Sequence, residues 1–302
     1  MINNQKLNAW LNAIRLRTLP LALASIGMGS FMAAGDQQFD WLVFVLSAVT
    51  TVFLQILSNL ANDYGDSVHG ADNIERKGPK RAVQMGLIKP REMRFGIILT
   101  TLLAFTCGIV LLIYVFSKMS SYLVIFLFIG IGAIFAAMGY TMGKRPYGYA
   151  GLGDLFVMIF FGFVGVLGTY FLHTRQLSLI HVLPALSSGF FATAVLNVNN
   201  IRDIESDESA GKKSIPVRIG REKAINYHIF LLSGGFIAAI IYMIFHYENM
   251  YQFLFLFTFP FFLKNITEIK IKTQPDQLDP SLKKLALSIL LFTIVFGIGL
   301  II

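Results

Sequence analysis

The stretch WLVFVLSAVTTVFLQILSNLANDYGDSVHGAD, residues 41–72, joins an apolar run to a polar segment with three aspartates. Residues 41–60 contain no charged side chain, and about 20 consecutive apolar residues cross the hydrocarbon core of a bilayer. Asp63, Asp66 and Asp72 follow directly. A carboxylate costs on the order of 3 kcal/mol at the bilayer centre and less near its edge. The stretch therefore predicts a membrane helix that ends in a functional acidic cluster.

The whole chain has the composition of a membrane protein. Its 302 residues are 55% hydrophobic and only 14% charged, whereas about a quarter of the residues in a soluble domain are charged. Repeated apolar stretches predict membrane-spanning helices, although the eighth is short and contains Pro260. The nine predicted spans are 18–34, 41–60, 95–116, 122–142, 155–172, 179–197, 227–245, 250–263 and 285–302. We therefore expect a single all-α integral-membrane domain over residues 1–302, with nine transmembrane helices.

The charges of the loops predict the orientation of this domain. With the N-terminus in the cytoplasm, all but two of the 25 Lys and Arg residues fall on the cytoplasmic side, the exceptions being Lys118 and Arg175. If the eighth segment did not cross, the lysines between residues 264 and 284 would move outside, so the charges favour nine crossings. The net charge of +8 suits anionic lipid headgroups. We expect a multi-pass protein of the cell inner (plasma) membrane and no nucleic-acid partner.

A second acidic segment, NVNNIRDIESDESAGKKSIPVRIG at residues 197–220, has the same pattern as the first. In each, an apolar span leads into a series of polar residues spaced four apart: Asn62 and Asp66, then Asn199, Asp203 and Asp207. The acidic motifs at 59–72 and 197–207 end spans two and six. This arrangement indicates an internal duplication of a four-helix unit. It also predicts a site at the cytoplasmic face, because nearly all the unusual polarity lies there.

The acidic clusters have the chemistry of a magnesium site. Four residues advance a helix by about 400°, so residues spaced by four share a face. Carboxylate and amide oxygens are the ligands that Mg²⁺ prefers, often together with phosphate oxygens. A single aspartate at a helix end is usually a cap or a solvated residue, but two matching clusters favour a metal site. The predicted metal ligands are Asn62, Asp66, Asp72, Asn199, Asp203 and Asp207.

Two other aspartate positions need comment. Asp72 lies beyond Gly65 and Gly70 and can reach the metal only if the chain turns at those glycines. Asp63 points about 60° off the helix face expected of a ligand.

The lone Cys107 lies inside an apolar span, so no thiol-metal framework is available.

Basic residues follow both acidic clusters and could neutralise a diphosphate leaving group. Cytoplasmic loops are basic in any case, so membrane orientation alone could explain any single one of them. Arg17 stands at the head of the first span, and Tyr140 and Lys144 are again four residues apart. The predicted diphosphate-binding residues are Arg17, Asn62, Lys77, Arg81, Asn199, Arg202 and Lys212.

These motifs resemble those of the UbiA superfamily of intramembrane prenyltransferases. The first superfamily motif reads Asn-x-x-x-Asp-x-x-x-Asp; here its last position is Gly70, and Asp72 follows two residues later. The second motif is matched in full at residues 199–207. Tyr140 and Lys144 match the Tyr-x-x-x-Lys pair of the superfamily. The resemblance implies a nine-helix bundle with a cytoplasmic N-terminus and Mg²⁺-dependent prenyl transfer to aromatic acceptors.

Within the superfamily, the chain is most similar to the menaquinone-pathway branch. SNLANDYGDSVHGAD at residues 58–72 and GYAGLGDLFVMIFFG at residues 148–162 are among the stretches that carry the similarity. It implies transfer of a polyprenyl group from polyprenyl diphosphate to 1,4-dihydroxy-2-naphthoate, with loss of CO₂ and diphosphate, giving demethylmenaquinone. The implied catalytic residues are Asp66, Asp203, Tyr140 and Lys144.

Two alternatives stay open at this point. Another aromatic acceptor, such as 4-hydroxybenzoate or homogentisate, would use the same catalytic residues. A cation-coupled transporter could use the acids as ion ligands, but transporters place such sites near the membrane midplane. The concentration of polar residues at one membrane face counts against a transporter.

Overall fold

The computed structural model of the protein describes residues 2–68 and 82–302. In these two ranges all regular secondary structure is helical, which confirms the predicted all-α class. In chain order the α-helices are α1 (Ile2–Ile14), α2 (Leu19–Gly35), α3 (Trp41–Val68), α4 (Pro90–Val115), α5 (Ser121–Gly139), α6 (Gly153–Val157), α7 (Thr169–Thr174), α8 (Val182–Arg202), α9 (Ile204–Ser209), α10 (Ile215–Ile219), α11 (Arg221–Phe245), α12 (Phe259–Ile271) and α13 (Pro275–Ile301).

Several of these helices are connected by 3₁₀-helical turns, which are tighter than an α-helix, or by a π-helix, which is wider. A π-helix, Met158–Gly168, joins α6 to α7 in one continuous segment. Short 3₁₀ turns, Leu16–Thr18 and Leu179–His181, precede α2 and α8. A longer 3₁₀-helix, Met250–Thr258, leads directly into α12. Hydrophobic runs do not distinguish these variants from α-helix, because all of them bury an apolar segment in a similar way.

Eight helices within the described ranges are long and apolar enough to cross a membrane. They correspond to eight of the nine predicted spans: Asn4–Gly35, Trp41–Val68, Pro90–Val115, Ser121–Gly139, Gly153–Thr174, Leu179–Arg202, Arg221–Phe245 and Pro275–Ile301. The remaining predicted span, 250–263, is helical but is not among them. Whether it crosses, and hence the count of nine, stays a prediction.

The largest core joins the second half of the chain to α2. Its centre is a group of phenylalanines from α8, α11, the Met250–Thr258 helix, α12 and α13, with neighbouring ring centroids 4.9 to 5.4 Å apart, several of them edge to face. Large apolar side chains also cover the outside of the molecule; Phe128 and Phe257, for example, are 68% and 79% exposed. Apolar surface on this scale requires a lipid environment. The protein is therefore a multi-pass membrane protein.

Candidate active site

A cavity of about 390 Å³ lies among α2, α3, α4, α5, the π-helix and α8. At one end it is lined by Asn62 from α3 and by Asn199 and Asp203 at the end of α8. Towards the other end it is lined by apolar side chains such as Leu112 and Leu172. Residues of both acidic clusters, 137 positions apart in the sequence (199 − 62), therefore border the polar end of one cavity.

The first cluster is positioned by the last turns of α3, which continues eight residues beyond the predicted span, to Val68. Asp66 is buried, at 3% exposure, and its carboxylate accepts a hydrogen bond of 3.0 Å from the Tyr149 hydroxyl. Asp63 is also buried but forms an ion pair of 2.5 Å with Arg15. The side chains of Asp63 and Asp66 thus point in different directions, as their angular separation around the helix predicts.

The packing of α3 against the end of α5 leaves no space for a side chain at Gly65. A Cβ atom there would lie 2.5 Å from the main-chain oxygen of Thr141 and 2.6 Å from its hydroxyl. The Thr141 hydroxyl in turn donates a hydrogen bond of 3.0 Å to the main-chain oxygen of Ala61. The glycine next to Asp66 therefore sets the distance between this carboxylate and the residues that follow α5.

The second cluster lies at a break between two helices and does not occupy one continuous helix as the spacing predicted. Helix α8 ends at Arg202, Asp203 has φ −100° and ψ 11°, and α9 begins at Ile204. Main-chain hydrogen bonds still connect residues four apart, from Asp203 to Asn199 and from Asp207 to Asp203. The chain changes direction at this break, but the main-chain hydrogen bonds between residues four apart are kept. Asn199, Asp203 and Asp207 therefore remain neighbours.

Arg202 connects the residues of this cluster from outside the cavity. Its guanidinium donates to both carboxylate oxygens of Asp203, at 2.8 and 2.7 Å, and to the side-chain oxygen of Asn199 at 2.9 Å. A further hydrogen bond of 2.7 Å reaches Asp279. Arg202 is 7% exposed and does not line the cavity. Arg202 thus orients Asn199 and Asp203, and its role in diphosphate binding stays a prediction.

Asp279 is a site residue that sequence reasoning missed. It lies near the start of α13 and also forms a short ion pair with Arg17, which does line the cavity. Arg17 and Arg202, two predicted phosphate-binding residues, are thus joined through one carboxylate. The available signal was an acidic residue just before an apolar span, near the membrane edge, where Asp is costly. Arg15 and Lys283 also line the cavity and were missed.

Lys212, a predicted diphosphate-binding residue, lies beside the second acidic cluster. Gly211, with φ +72°, turns the chain after α9, and the Lys212 amide donates to the Asp207 main-chain oxygen at 2.8 Å. The Lys212 ammonium forms a buried ion pair of 3.2 Å with Asp207 and lies 5.6 Å from the centre of the Tyr140 ring. It also lines the cavity.

The charges around Lys212 keep it protonated. Burial lowers its pKa, but the neighbouring Tyr140 and the carboxylates of Asp207, Asp66 and Asp203 outweigh burial, so the pKa of Lys212 lies above its usual value. Burial raises the pKa of Asp207, although Lys212 opposes that rise. Both acidic clusters thus act electrostatically on the same lysine, which means that they lie close to one another.

Tyr140 and Lys144 do not form a pair. Helix α5 ends at Gly139, so the four-residue spacing does not place the two side chains on one helix face. Tyr140 lines the cavity, whereas Lys144 is exposed and does not. Of these two residues only Tyr140 borders the cavity, and the catalytic role of Lys144 stays a prediction. The chain turns before the helical repeat reaches it.

Several predicted residues lie outside the described ranges. These are Asp72, Lys77 and Arg81, and no position is assigned to them. Within residues 2–68 and 82–302, no three His, Cys, Asp or Glu side chains are grouped so that they could ligate one metal ion. The donors that are present are nevertheless hard oxygens, and the Oδ2 atom of Asp207 is buried with no hydrogen-bond partner in those ranges. This donor set suits a divalent cation such as Mg²⁺.

An aromatic wall borders the cavity next to the polar end. The rings of Tyr147 and Phe156 are stacked, with centroids 3.9 Å apart, and Phe160 continues the stack at 6.2 Å. Tyr140 meets Tyr147 edge to face. Aromatic faces attract positive charge, so this wall could stabilise a cation formed near the acidic clusters.

Comparisons with known proteins agree with this arrangement. The model of the UbiA prenyltransferase family matches residues 22–299. The chain is 44% identical to the 1,4-dihydroxy-2-naphthoate octaprenyltransferase of Haemophilus influenzae, over 99% of this chain and 97% of the relative. It is 40% identical to the Escherichia coli protein of the same name, over 97% of this chain and 94% of the relative.

Two solved structures share the fold. A UbiA homolog from Aeropyrum pernix K1 superposes with a TM-score of 0.69 at 18% identity, covering 95% of this chain and 98% of the homolog. A UbiA homolog from Archaeoglobus fulgidus bound to GPP and Mg²⁺ gives a TM-score of 0.65 at 16% identity, covering 97% and 99%.

Proposed function

The chain belongs to the UbiA prenyltransferase family, and we propose that it transfers a polyprenyl group from polyprenyl diphosphate to 1,4-dihydroxy-2-naphthoate. CO₂ and diphosphate leave, and the product is demethylmenaquinone, formed in its reduced state. The observation that carries this proposal is one cavity that both acidic clusters border at its polar end and that is mostly apolar elsewhere. The names of the two relatives above support the choice of acceptor.

The polar end of the cavity suits a diphosphate. Lys212 and Arg17 line it and would donate charge-assisted hydrogen bonds to phosphate oxygens. Arg202 and Asp279 would keep Asn199, Asp203 and Arg17 in place. The hydrogen bonds among these residues fix their positions, so little reorganisation would accompany the departure of the leaving group.

We infer that Mg²⁺ is the resident metal. The residues that would hold it are Asn62, Asp66, Asp72, Asn199, Asp203 and Asp207. When bound, Mg²⁺ supplies positive charge that offsets the charge developing on the diphosphate. The unpaired Oδ2 atom of Asp207 and the hard-oxygen donors support this assignment.

The apolar part of the cavity suits the allylic group. The rings of Tyr147, Phe156 and Phe160 would face the allylic cation, and the surrounding side chains would exclude water that could capture it. One face of the Tyr140 ring lies near the Lys212 ammonium. This ring would therefore stabilise the lysine charge more directly than the charge of the allylic cation. Attack by the electron-rich ring forms the new carbon–carbon bond.

We also propose the location of the site. The acidic clusters follow the second and sixth spans at the end of the bundle where Arg15, Arg17, Lys212 and Lys283 border the cavity. Cytoplasmic ends of membrane helices carry the excess of Lys and Arg. The site therefore faces the cytoplasm, in the inner (plasma) membrane of the cell.

Reconstituted protein tests the function directly. Vesicles containing the purified chain are incubated with a labelled polyprenyl diphosphate, Mg²⁺ and one of three acceptors. We expect a prenylated product and released CO₂ with 1,4-dihydroxy-2-naphthoate. Product from 4-hydroxybenzoate or homogentisate, but not from the naphthoate, would contradict the proposal.

A further inference from the structure

A row of polar side chains continues from Asn62 along the cavity face of α3, into the mostly apolar part of the cavity. Ser58 and Gln55 lie four and seven residues before Asn62, and both line the cavity. At 1.5 Å per residue they lie roughly 6 and 10 Å deeper than Asn62 along the helix axis. They therefore border the part of the cavity in which the proposed function places the allylic group. The acidic clusters, the metal and the phosphate do not require polar groups there.

The hydrogen bonds of Gln55 determine which end of its amide is available. The Asn59 side chain donates through Nδ2 to the main-chain oxygen of Ile14 at 2.8 Å and to Thr18 Oγ1 at 3.0 Å. Thr18 Oγ1 donates its own proton to the main-chain oxygen of Arg15. Both Asn59 Oδ1 and Thr18 Oγ1 can therefore only accept from Gln55, each at 3.3 Å. The Gln55 amide nitrogen must face them.

Both hydrogens of this nitrogen are then used, and the Oε1 atom of Gln55 has no hydrogen-bond partner among the described residues. The Ser58 hydroxyl likewise has none there. An amide oxygen accepts a hydrogen bond and cannot donate one. Gln55 Oε1 would repel a phosphate or a carboxylate and gains nothing from a hydrocarbon chain. It suits a ligand that carries a hydroxyl group.

We propose that Gln55 and Ser58 form the subsite for the ring hydroxyl groups of the aromatic acceptor. This inference rests on the proposed function, because a dihydroxynaphthoate is the hydroxyl-bearing substrate of that reaction. Gln55 Oε1 accepts a hydrogen bond from one phenolic O–H, and Ser58 contacts the same edge of the ring. The acceptor thus lies one to two helical turns deeper than the diphosphate, beside the allylic carbon.

The same contacts assist the reaction. The ring carbon that bears the carboxylate attacks the allylic carbon, the new carbon–carbon bond forms, and the carbon–oxygen bond to diphosphate breaks. The carboxylate then leaves as CO₂ and returns its electron pair to the ring. Positive charge passes through the ring and its hydroxyl groups during attack, so the hydrogen bond to Gln55 Oε1 becomes stronger at that moment. The residue binds the acceptor and favours its attack.

Equilibrium binding of two ligands tests the subsite without any turnover. The ligands are 1,4-dihydroxy-2-naphthoate and 2-naphthoate, which lacks both hydroxyls, and the proteins are the wild type, Gln55→Leu and Ser58→Ala. We expect wild-type protein to prefer the dihydroxy ligand by about tenfold, the effect of one neutral hydrogen bond. Gln55→Leu should remove most of this preference, and Ser58→Ala should reduce it about threefold.

Gln277→Leu is the matched control, since Gln277 is exposed on α13 and undergoes the same chemical change. If Gln55→Leu does not fold, Ser58→Ala and Gln55→Glu decide the question. A preference for the dihydroxy ligand that is unchanged in the folded variants would overturn the subsite. Failure of the proposed function would look different: the wild type would form no product from the naphthoate in the vesicle assay, whatever its hydroxyl preference.

Discussion

Arg202 and Asp279 show how single residues organise the site from outside the cavity. Arg202 reaches Asn199 on its own helix, Asp203 at the break that follows, and Asp279 on α13. Hydrogen bonds to charged groups are each worth about 1.5 to 3 kcal/mol. Asp279 additionally holds Arg17 at the cavity edge. The last helix of the chain therefore takes part in the site, although the sequence of its span carries little specific signal.

We expect Asp279→Asn to lower kcat/KM for prenyl diphosphate about tenfold, because Arg17 and Arg202 each lose a charged partner. Asp279→Glu should restore most of the activity. Asp276→Asn, at an exposed position in the same turn of α13, is the control and should behave as wild type. Steady-state kinetics for the donor and a thermal melt of each variant make the measurement. A change in melting temperature without a change in kcat/KM would show that Asp279 only stabilises the fold.

The ion pair of Lys212 and Asp207 gives a second prediction. Its side chains are 6% and 9% exposed, and removing one partner from a buried pair typically costs about 3 to 5 kcal/mol. Lys212→Met should therefore abolish turnover and lower the melting temperature. Combining it with Asp207→Asn should recover part of the melting temperature but none of the activity. Recovery of activity in the double variant would argue against a direct role for either residue.

For single residues, the sequence predicted positions that depend on local helix geometry. Asn62 and Asp66 lie within α3, and Asn199 and Asp203 are connected by main-chain hydrogen bonds. Lys144 does not line the cavity, because α5 ends before the helical repeat reaches it. Asp279 could not be found by spacing, because its partners are 77 and 262 positions away.

The junction between α3 and the end of α5 is the element on which the first acidic cluster depends. Gly65 allows the close approach of Thr141, and Tyr140 follows α5 directly. We expect Gly65→Ala to lower both the melting temperature and kcat, since overpacking costs about 1 to 3 kcal/mol. Gly132→Ala in α5 is the control, because a Cβ atom there meets nothing within 4 Å. Equal behaviour of the two variants in melts and kinetics would contradict this account of the junction.

Helices as elements were predicted well and their ends less well. The bilayer imposes a minimum length of apolar sequence on each span. Eight of the predicted spans correspond to helices of that length and hydropathy among the described residues. The ends depend on contacts outside the membrane, so α3 continues to Val68 and the second cluster breaks at Asp203. The π-helix Met158–Gly168 differs from an α-helix only in its hydrogen-bond pattern, which composition does not record.

At the scale of the whole molecule, the number of crossings is open to a direct test. Single cysteines are introduced at Lys118, Gln176, Lys213 and Ile302 in a Cys107→Ser background. We expect an impermeant thiol reagent added to intact cells to label positions 118, 176 and 302, and to label 213 only after permeabilisation. Labelling of position 302 only after permeabilisation would indicate an even number of crossings and would contradict the nine-helix topology.

The cavity is a property of the whole bundle that the sequence could not supply. Its polar end combines residues of the segment just before α2, of α3, α8 and α13, and of the loop that carries Lys212. The paired motifs predicted that the two clusters meet, and the structure brings them to one cavity. The internal duplication of a four-helix unit stays a prediction, since two short motifs support it. The volume and the polar row on α3 depend on how the helices pack.

Metal-dependent binding of an unreactive donor analogue tests the central claim, that the two clusters act together on one diphosphate. Binding of geranyl thiolodiphosphate to purified protein is measured with and without Mg²⁺, for the wild type, Asp66→Asn, Asp203→Asn and the exposed control Asp276→Asn. We predict that Mg²⁺ strengthens binding at least about tenfold in the wild type and the control, and that either cluster variant loses this gain. Full Mg²⁺-dependent binding by Asp66→Asn or by Asp203→Asn would contradict the account.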